Sequence, residues 1–211
     1  MNDEYEYTFT VSIIGDSGVG KTSLLKKIFD KNYDIDENKP KSTMSLEFYK
    51  YITSKNGKRI KIQFIDTMGT EKFHSMNSYG LKKACAFLIV FDTTDEVSFD
   101  NVIYWVNQIR LHVDINDVDI IMVANKCDLE RKVDLKRIDN FEKRNDFGIH
   151  YLFYETSAKT GKGINQCLEG LIEKITFRYE NSKDKYKINQ NLIIKMINKD
   201  FDNKKNKKCC S

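Results

Sequence analysis

The eight residues Gly15 to Thr22 read GDSGVGKT, which matches G-x-x-x-x-G-K-[ST]. Glycines at this spacing let successive backbone N–H groups turn inward and cradle phosphate oxygens. Lys21 can reach the outer phosphates as a point charge, and Thr22 can offer its hydroxyl to Mg2+. An apolar strand precedes the loop and a helical pattern follows from Ser23, so a helix N-terminus adds its partial positive charge. A glycine-rich loop that only turns a corner would not require that strand and helix. A second stretch, DTMGTE from Asp66 to Glu71, follows the apolar run of Ile62, Phe64 and Ile65. An acid closing a buried strand, with a glycine three residues on, is an arrangement suited to sensing a phosphate.

Two further loops carry base-recognition chemistry. NKCD, Asn125 to Asp128, follows DIIMVA. A carboxylate there can accept two hydrogen bonds from guanine N1–H and the 2-amino group, a donor pair that adenine lacks. Asn125 would tie this loop to the phosphate loop, and the stem of Lys126 can cover a base. ETSAK, Glu155 to Lys159, follows the next apolar run, where a backbone N–H near Ala158 can meet guanine O6. Either loop alone could be ordinary polar surface. In this order after a phosphate loop they point to a guanine nucleotide.

The elements that must position these loops are legible in the pattern. Strands are expected at Phe9–Ile14, Leu46–Thr53, Arg59–Ile65, Phe87–Phe91, Asp119–Val123 and Tyr151–Tyr154. Asn56-Gly57 between the second and third favours a tight hairpin turn. In TSLLKKIF, residues 22–29, Leu24, Leu25 and Ile28 share one helical face, and helices are expected over Ser98–Val113, Leu135–Phe147 and Ile164–Tyr179. Strands alternating with helices imply crossovers and a mostly parallel sheet covered on both faces, with one antiparallel strand at its edge. Each motif follows a strand, and ligands in such sheets bind at the carboxyl ends of the strands.

Composition narrows the setting. The 211 residues, 40% hydrophobic and 12% aromatic, suit one domain with a tail. The longest apolar run, Ala84 to Phe91, is far short of the ~20 residues that span a bilayer. The start, MNDEYEY, is acidic and polar, so no signal peptide is expected and the chain should stay in the cytosol. Its five cysteines, at 85, 127, 167, 209 and 210, make neither a disulfide framework nor a zinc site. Cys85 and Cys167 read as buried thiols. From residue 181 on there are nine lysines and three aspartates, a net +6 in a chain of net +4. The first 180 residues therefore sum to −2. A positive tail on a near-neutral body argues against a general nucleic-acid binder and for an anionic membrane surface. The division expected is a nucleotide-binding domain over 1–180 and a flexible basic tail over 181–211.

With three motifs in order, the chain resembles the Ras-like small GTPases over roughly residues 8 to 180, and within them the Rab family. STMSLEF, Ser42 to Phe48, resembles a Rab first switch segment, and TTDEVSFDNVIYW, Thr93 to Trp105, resembles the Rab stretch that leads into an apolar-aromatic helix. The resemblance implies a P-loop fold with a six-stranded, mostly parallel sheet, GTP and GDP as ligands, and Mg2+. It places Asp16, Ser17, Gly18, Val19, Gly20, Lys21, Thr22 and Ser23 around the phosphates. Asn125, Lys126, Asp128, Ser157, Ala158 and Lys159 would surround the base, and Thr22, Thr43 and Asp66 the metal. Gly69 would offer its N–H to the γ-phosphate, which Thr43 also contacts. Loss of that phosphate would free both loops.

The chain also departs from the family. Where DTAGQE is usual it reads DTMGTE, so Thr70 replaces the glutamine that orients the attacking water. Thr70 is shorter and lacks the amide, so it cannot span from water to the γ-phosphate. Gly69, Thr70 and Lys21 are the candidate catalytic residues, with slow intrinsic turnover expected. Rab-type activating proteins bring an arginine and a glutamine of their own, so a partner could restore the rate. Thr70 would then be neutral if the partner always does the work. Phe48 fits the first position of the Rab aromatic triad, but Ile65 and Gly80 stand where tryptophan and tyrosine are usual, and standard effectors should bind poorly. Ser45 and Met68 replace smaller switch residues.

The end, KKNKKCCS, lacks a C-a-a-X box because residue 208 is Lys208. Cys209 and Cys210 resemble the Rab double-geranylgeranyl signal, and two lipid chains suffice for stable anchoring. The apolar island Leu192 to Ile197 could dock on a partner or extend as a short helix. The implied partners are an exchange factor, an activating protein, effectors, a prenylation escort and a GDP-dissociation inhibitor, acting on a monomer. The implied location is the cytoplasmic face of intracellular membranes, with a cytosolic pool. The leading function is a GTPase switch in vesicle traffic. A second reading is a non-catalytic GTP-binding scaffold. An ATP-using P-loop protein is disfavoured by NKCD.

Overall fold

A computed structural model describes residues 5–35, 47–67, 81–144 and 150–181. Six strands form one sheet: β1 Tyr7–Ile14, β2 Glu47–Lys55, β3 Lys58–Asp66, β4 Ala86–Asp92, β5 Asp119–Asn125 and β6 Tyr151–Glu155, in the order β2-β3-β1-β4-β5-β6. Only β2 is antiparallel to its neighbour, as expected, with Phe48 opposite Ile65 and Lys55 opposite Lys58. The turn between them is Asn56-Gly57, with φ of 52° and 76°. Two successive left-handed residues are what a two-residue hairpin of the right twist demands.

Among the described residues the α-helices that cover the sheet are α1 Lys21–Phe29, α2 Glu96–Asp100, α3 Val102–His112, α4 Leu135–Arg144 and α5 Ile164–Asn181. All seven residues of β4 are buried, and so are all seven of β5. Their side chains alternate between two cores. Leu88, Val90, Ile121 and Val123 join Leu24, Leu25, Leu171 and Ile175 under α1 and α5. Phe87, Ile89, Phe91, Ile120 and Met122 join Val102, Trp105, Ile109 and Ile138 under α3 and α4. Central strands of a two-faced parallel sheet read as continuous apolar runs for this reason.

The single helix expected over Ser98–Val113 is two. It starts earlier because the Asp95 carboxylate caps the first turn, accepting from Val97 N at 3.0 Å. It is interrupted at Asn101, where ψ flattens to −7°. Backbone bonds from Asn101 N to Val97 O and from Trp105 N to Asn101 O carry across the break. Cys167 is buried as expected; Cys85 is half-buried as a residue, but its thiol is turned inward as expected, its pKa pushed up to about 12 by burial, with Sγ donating to Thr10 O at 3.3 Å. No helix of the described residues is long and apolar enough to cross a membrane. The tail from residue 182 on, with Leu192 to Ile197, Cys209 and Cys210, lies outside the described residues, as do 145–147 of the helix expected to end at Phe147.

Candidate functional site

The carboxyl ends of β1, β3, β4, β5 and β6 lie along one edge of the sheet. Parallel strands put all their carboxyl ends on one side, so motifs far apart in sequence meet there. Residues 15–20 join β1 to α1, whose first-turn N–H groups open toward the loop. Gly20 precedes α1 with φ of 96°, and a Cβ there would stand 2.4 Å from Asn125 Nδ2. A side chain at this position would push the two loops apart. Lys21 Nζ donates to Gly15 O at 2.8 Å and Asp16 O at 2.6 Å. Burial pulls its pKa down to about 8, against the opposing fields of Asp66 and Asp16.

Thr22 and Asp66 meet across 44 residues of sequence, the Thr22 hydroxyl donating to Asp66 Oδ2 at 2.5 Å. Asp66 is fully buried, and its other oxygen, Oδ1, accepts no hydrogen bond. Burial pushes the carboxyl upward, while the Thr22 hydroxyl and Lys21 pull it down. A buried carboxylate oxygen without a donor beside a threonine hydroxyl is the hard-oxygen pair that suits Mg2+. Thr67 supports the strand end, its hydroxyl donating to Ile13 O at 2.7 Å.

Asn125 is the junction of three loops. Its Nδ2 donates to Val19 O at 2.9 Å, and its Oδ1 accepts from Thr156 Oγ1 and Ala158 N, both at 3.2 Å. The expected tie to the phosphate loop is therefore present. The Ala158 N–H expected to meet a base carbonyl donates to Asn125 Oδ1. Lys126 holds a left-handed φ of 63°, a cost of order 1 kcal/mol or more for a residue with a Cβ. It is held from both sides: its carbonyl accepts from Thr93 Oγ1, and its Nζ pairs with Asp92 Oδ2 at 2.6 Å. Asp128 is exposed, open to a ligand. Ser157 is buried, its N–H donating to Lys162 O and its hydroxyl accepting from Thr160 N. Arg131 pairs with Glu155, joining the NKCD loop to the ETSAK loop.

The structure thus brings together Lys21, Thr22, Asp66 and Asn125, with Lys126, Ser157 and Ala158 beside them. Ser17 and Gly18 are exposed at the loop tip, Val19 is buried and Ser23 half-buried in α1. Thr43, Gly69 and Thr70 lie outside the described residues, as do Ser45, Met68 and Gly80. Phe48 is 50% exposed, but its cross-strand neighbour Ile65 is 1% exposed and presents no contact surface. Asp92, Arg131, Asn101 and Trp105 join the site without a motif that marks them in the sequence. The last two donate to the Asp16 carboxylate; they lay inside the TTDEVSFDNVIYW stretch, where spacing shows a helix but not which side chain reaches the loop.

The sequence model of the Ras family matches residues 10–177. The chain is 34% identical to Ras-related protein Rab-27A of Rattus norvegicus over 204 residues, covering 92% of this chain and 90% of the relative. It is 36% identical over 177 residues to GTP-binding protein ypt3 of Schizosaccharomyces pombe, covering 83% and 79% of the two chains. It is 33% identical over 180 residues to Ras-related protein Rab-13 of Bos taurus, covering 84% and 85%.

Proposed function

The chain belongs to the Ras family, among its Rab-type small GTPases, and from that premise we propose that it is a guanine-nucleotide switch working on membranes in vesicle traffic. The observation that carries the site assignment is the convergence of Lys21, the Thr22–Asp66 pair and the Asn125 junction at one sheet edge. Residues 16–23 would hold the phosphates, Asp16 through its backbone alone, with Lys21 as the cation. Asp128, Asn125 and Lys126 would hold the guanine, with Ser157, Ala158 and Lys159 closing its far side. Thr22, Thr43 and Asp66 would hold Mg2+, which when bound neutralises charge on the phosphate oxygens during transfer. Gly69 N–H and Thr43 would contact the γ-phosphate, so both segments relax when it leaves.

GTP hydrolysis is the family's reaction, and Thr70 makes it slow here. Its side chain is too short to hold a water in line, and this reaction depends on positioning. An activating protein would then set the rate by supplying a glutamine and an arginine. Phe48 without an aromatic Ile65 or Gly80 leaves one anchor of three for effectors, so this chain's effectors differ from those of standard Rabs. The tail over 181–211, lipidated at Cys209 and Cys210, would hold a monomer on the cytoplasmic face of intracellular membranes. A GDP-dissociation inhibitor and prenylation escort would handle the cytosolic pool, and an exchange factor would reload the site.

The test is single-turnover hydrolysis of preloaded GTP by the chain and by Thr70→Gln. We expect glutamine to raise the rate severalfold, from at or below the ~10⁻⁴ s⁻¹ of the family. Equal rates at the ordinary value would sink the role given to Thr70. Thr70 also favours a second reading, a scaffold that holds GTP without cycling. Bound GTP that persists with a Rab-type activating protein present would establish that reading instead. Displacement of labelled GDP by ATP would overturn both.

A further inference from the structure

Asp16 puts a negative charge into a loop that is to hold a polyanion. Its neighbours show how that charge is turned away. Oδ2 accepts from Asn101 Nδ2 at 2.6 Å, and Oδ1 accepts from Trp105 Nε1 at 2.7 Å. The donors are 85 and 89 residues distant in sequence and flank the first turn of α3. Asn101 is the residue at which the helix breaks, and Trp105 is 3% exposed within the core under α3. Both carboxylate oxygens thus point toward the α2–α3 junction, while the Asp16 carbonyl accepts from Lys21 Nζ on the other side. Asn125 holds Val19 O at the far end of the loop. The loop is thus held by side chains at both ends, with Lys21 inside it, and Ser17 and Gly18 stand exposed between them.

We propose that Asn101 and Trp105 are positioning residues for nucleotide binding, acting by holding the Asp16 carboxylate away from the phosphates. This rests on the nucleotide reading given above. A charged acceptor with two N–H donors loses much of its field toward other groups, and such bonds are stronger than neutral ones. A carboxylate released from them would swing toward solvent and the loop mouth, where it repels the ligand. The phosphate loop would then be coupled directly to α3, whose opposite end is exposed at Leu111.

The test is the release rate of a fluorescent GDP analogue from the full chain. It is read for Trp105→Phe, Asp16→Asn and the double variant, with Asn101→Leu as an independent disruption. Phenylalanine keeps the buried ring and removes only the N–H. We expect Trp105→Phe and Asn101→Leu each to release the analogue about tenfold faster. Adding Asp16→Asn to Trp105→Phe should return the rate to within about twofold of the wild type, because the loose charge is gone. Trp105 is the only tryptophan, so Asp16→Asn should also shift the protein's tryptophan emission at unchanged circular dichroism. Unchanged release from both disrupted variants, or fast release that Asp16→Asn does not rescue, would overturn the proposal: Trp105 would then serve packing alone. A wild-type chain that takes up no GDP analogue would sink the nucleotide reading itself, a result distinct from normal uptake with silent variants.

Discussion

Lys21 is charged in a place with little access to water. It is 6% exposed, and burial lowers its pKa from 10.5 to about 8. A base whose folded pKa lies below its unfolded value binds fewer protons when folded. Its contribution is therefore a penalty, full below pH 8 and lost as pH rises toward 10.5. In nucleotide-free buffer, the unfolding free energy of the wild type minus that of Lys21→Met should rise between these values; a flat difference across pH 8–10.5 would show that the lysine is solvated. Lys21, Thr22, Asp66 and Asn125 were legible because each sits in a short motif whose chemistry needs that residue type. Asp92, Arg131 and Trp105 were not, because each acts through a partner on another segment, paired only by the fold.

At the scale of elements, α5 is fastened to the sheet by polar contacts as well as by its apolar face. Arg178 Nη2 donates to Asp119 Oδ1 at 2.7 Å and to Val118 O, and Nη1 donates to Asn116 O at 2.6 Å. Asp119 is 1% exposed at the start of β5. Arg178→Ala would leave that carboxylate buried without its cation, at a cost of about 3 kcal/mol. Urea unfolding should show a lower midpoint at unchanged slope. Asp119→Asn in the same background should recover part of the loss. Element types and order followed from periodicity and from Asn56-Gly57. The break at Asn101 did not, since an asparagine on a helical face looks the same whether its amide meets water or Asp16.

At the scale of the whole molecule, charge is separated along the chain, with +6 after residue 180 and −2 before it. Each lysine near an anionic leaflet contributes roughly 1 kcal/mol. Replacing Lys204, Lys205, Lys207 and Lys208 by glutamine in a chain prenylated enzymatically in vitro should weaken binding to vesicles containing phosphatidylserine on the order of a thousandfold. Binding to neutral vesicles should hardly change. Cys209→Ser with Cys210→Ser should abolish binding to both in a sedimentation assay; persistent binding would show that the tail does not depend on those thiols.

The sequence alone determined the ligand class, the alternation of strand and helix and the edge hairpin, because local motifs and periodicities record short-range geometry. It also exposed Thr70 and the missing aromatic anchors, since substitutions inside a motif are visible without a fold. Tertiary structure decided what crosses between segments. It left Asp66 Oδ1 buried without a donor, made Asn125 the junction of three loops, and aimed the Asp16 carboxylate at Asn101 and Trp105. Those facts depend on which strand lies beside which. That order, β2-β3-β1-β4-β5-β6, arises from burying two apolar faces at once, a property of the whole chain that no local stretch contains.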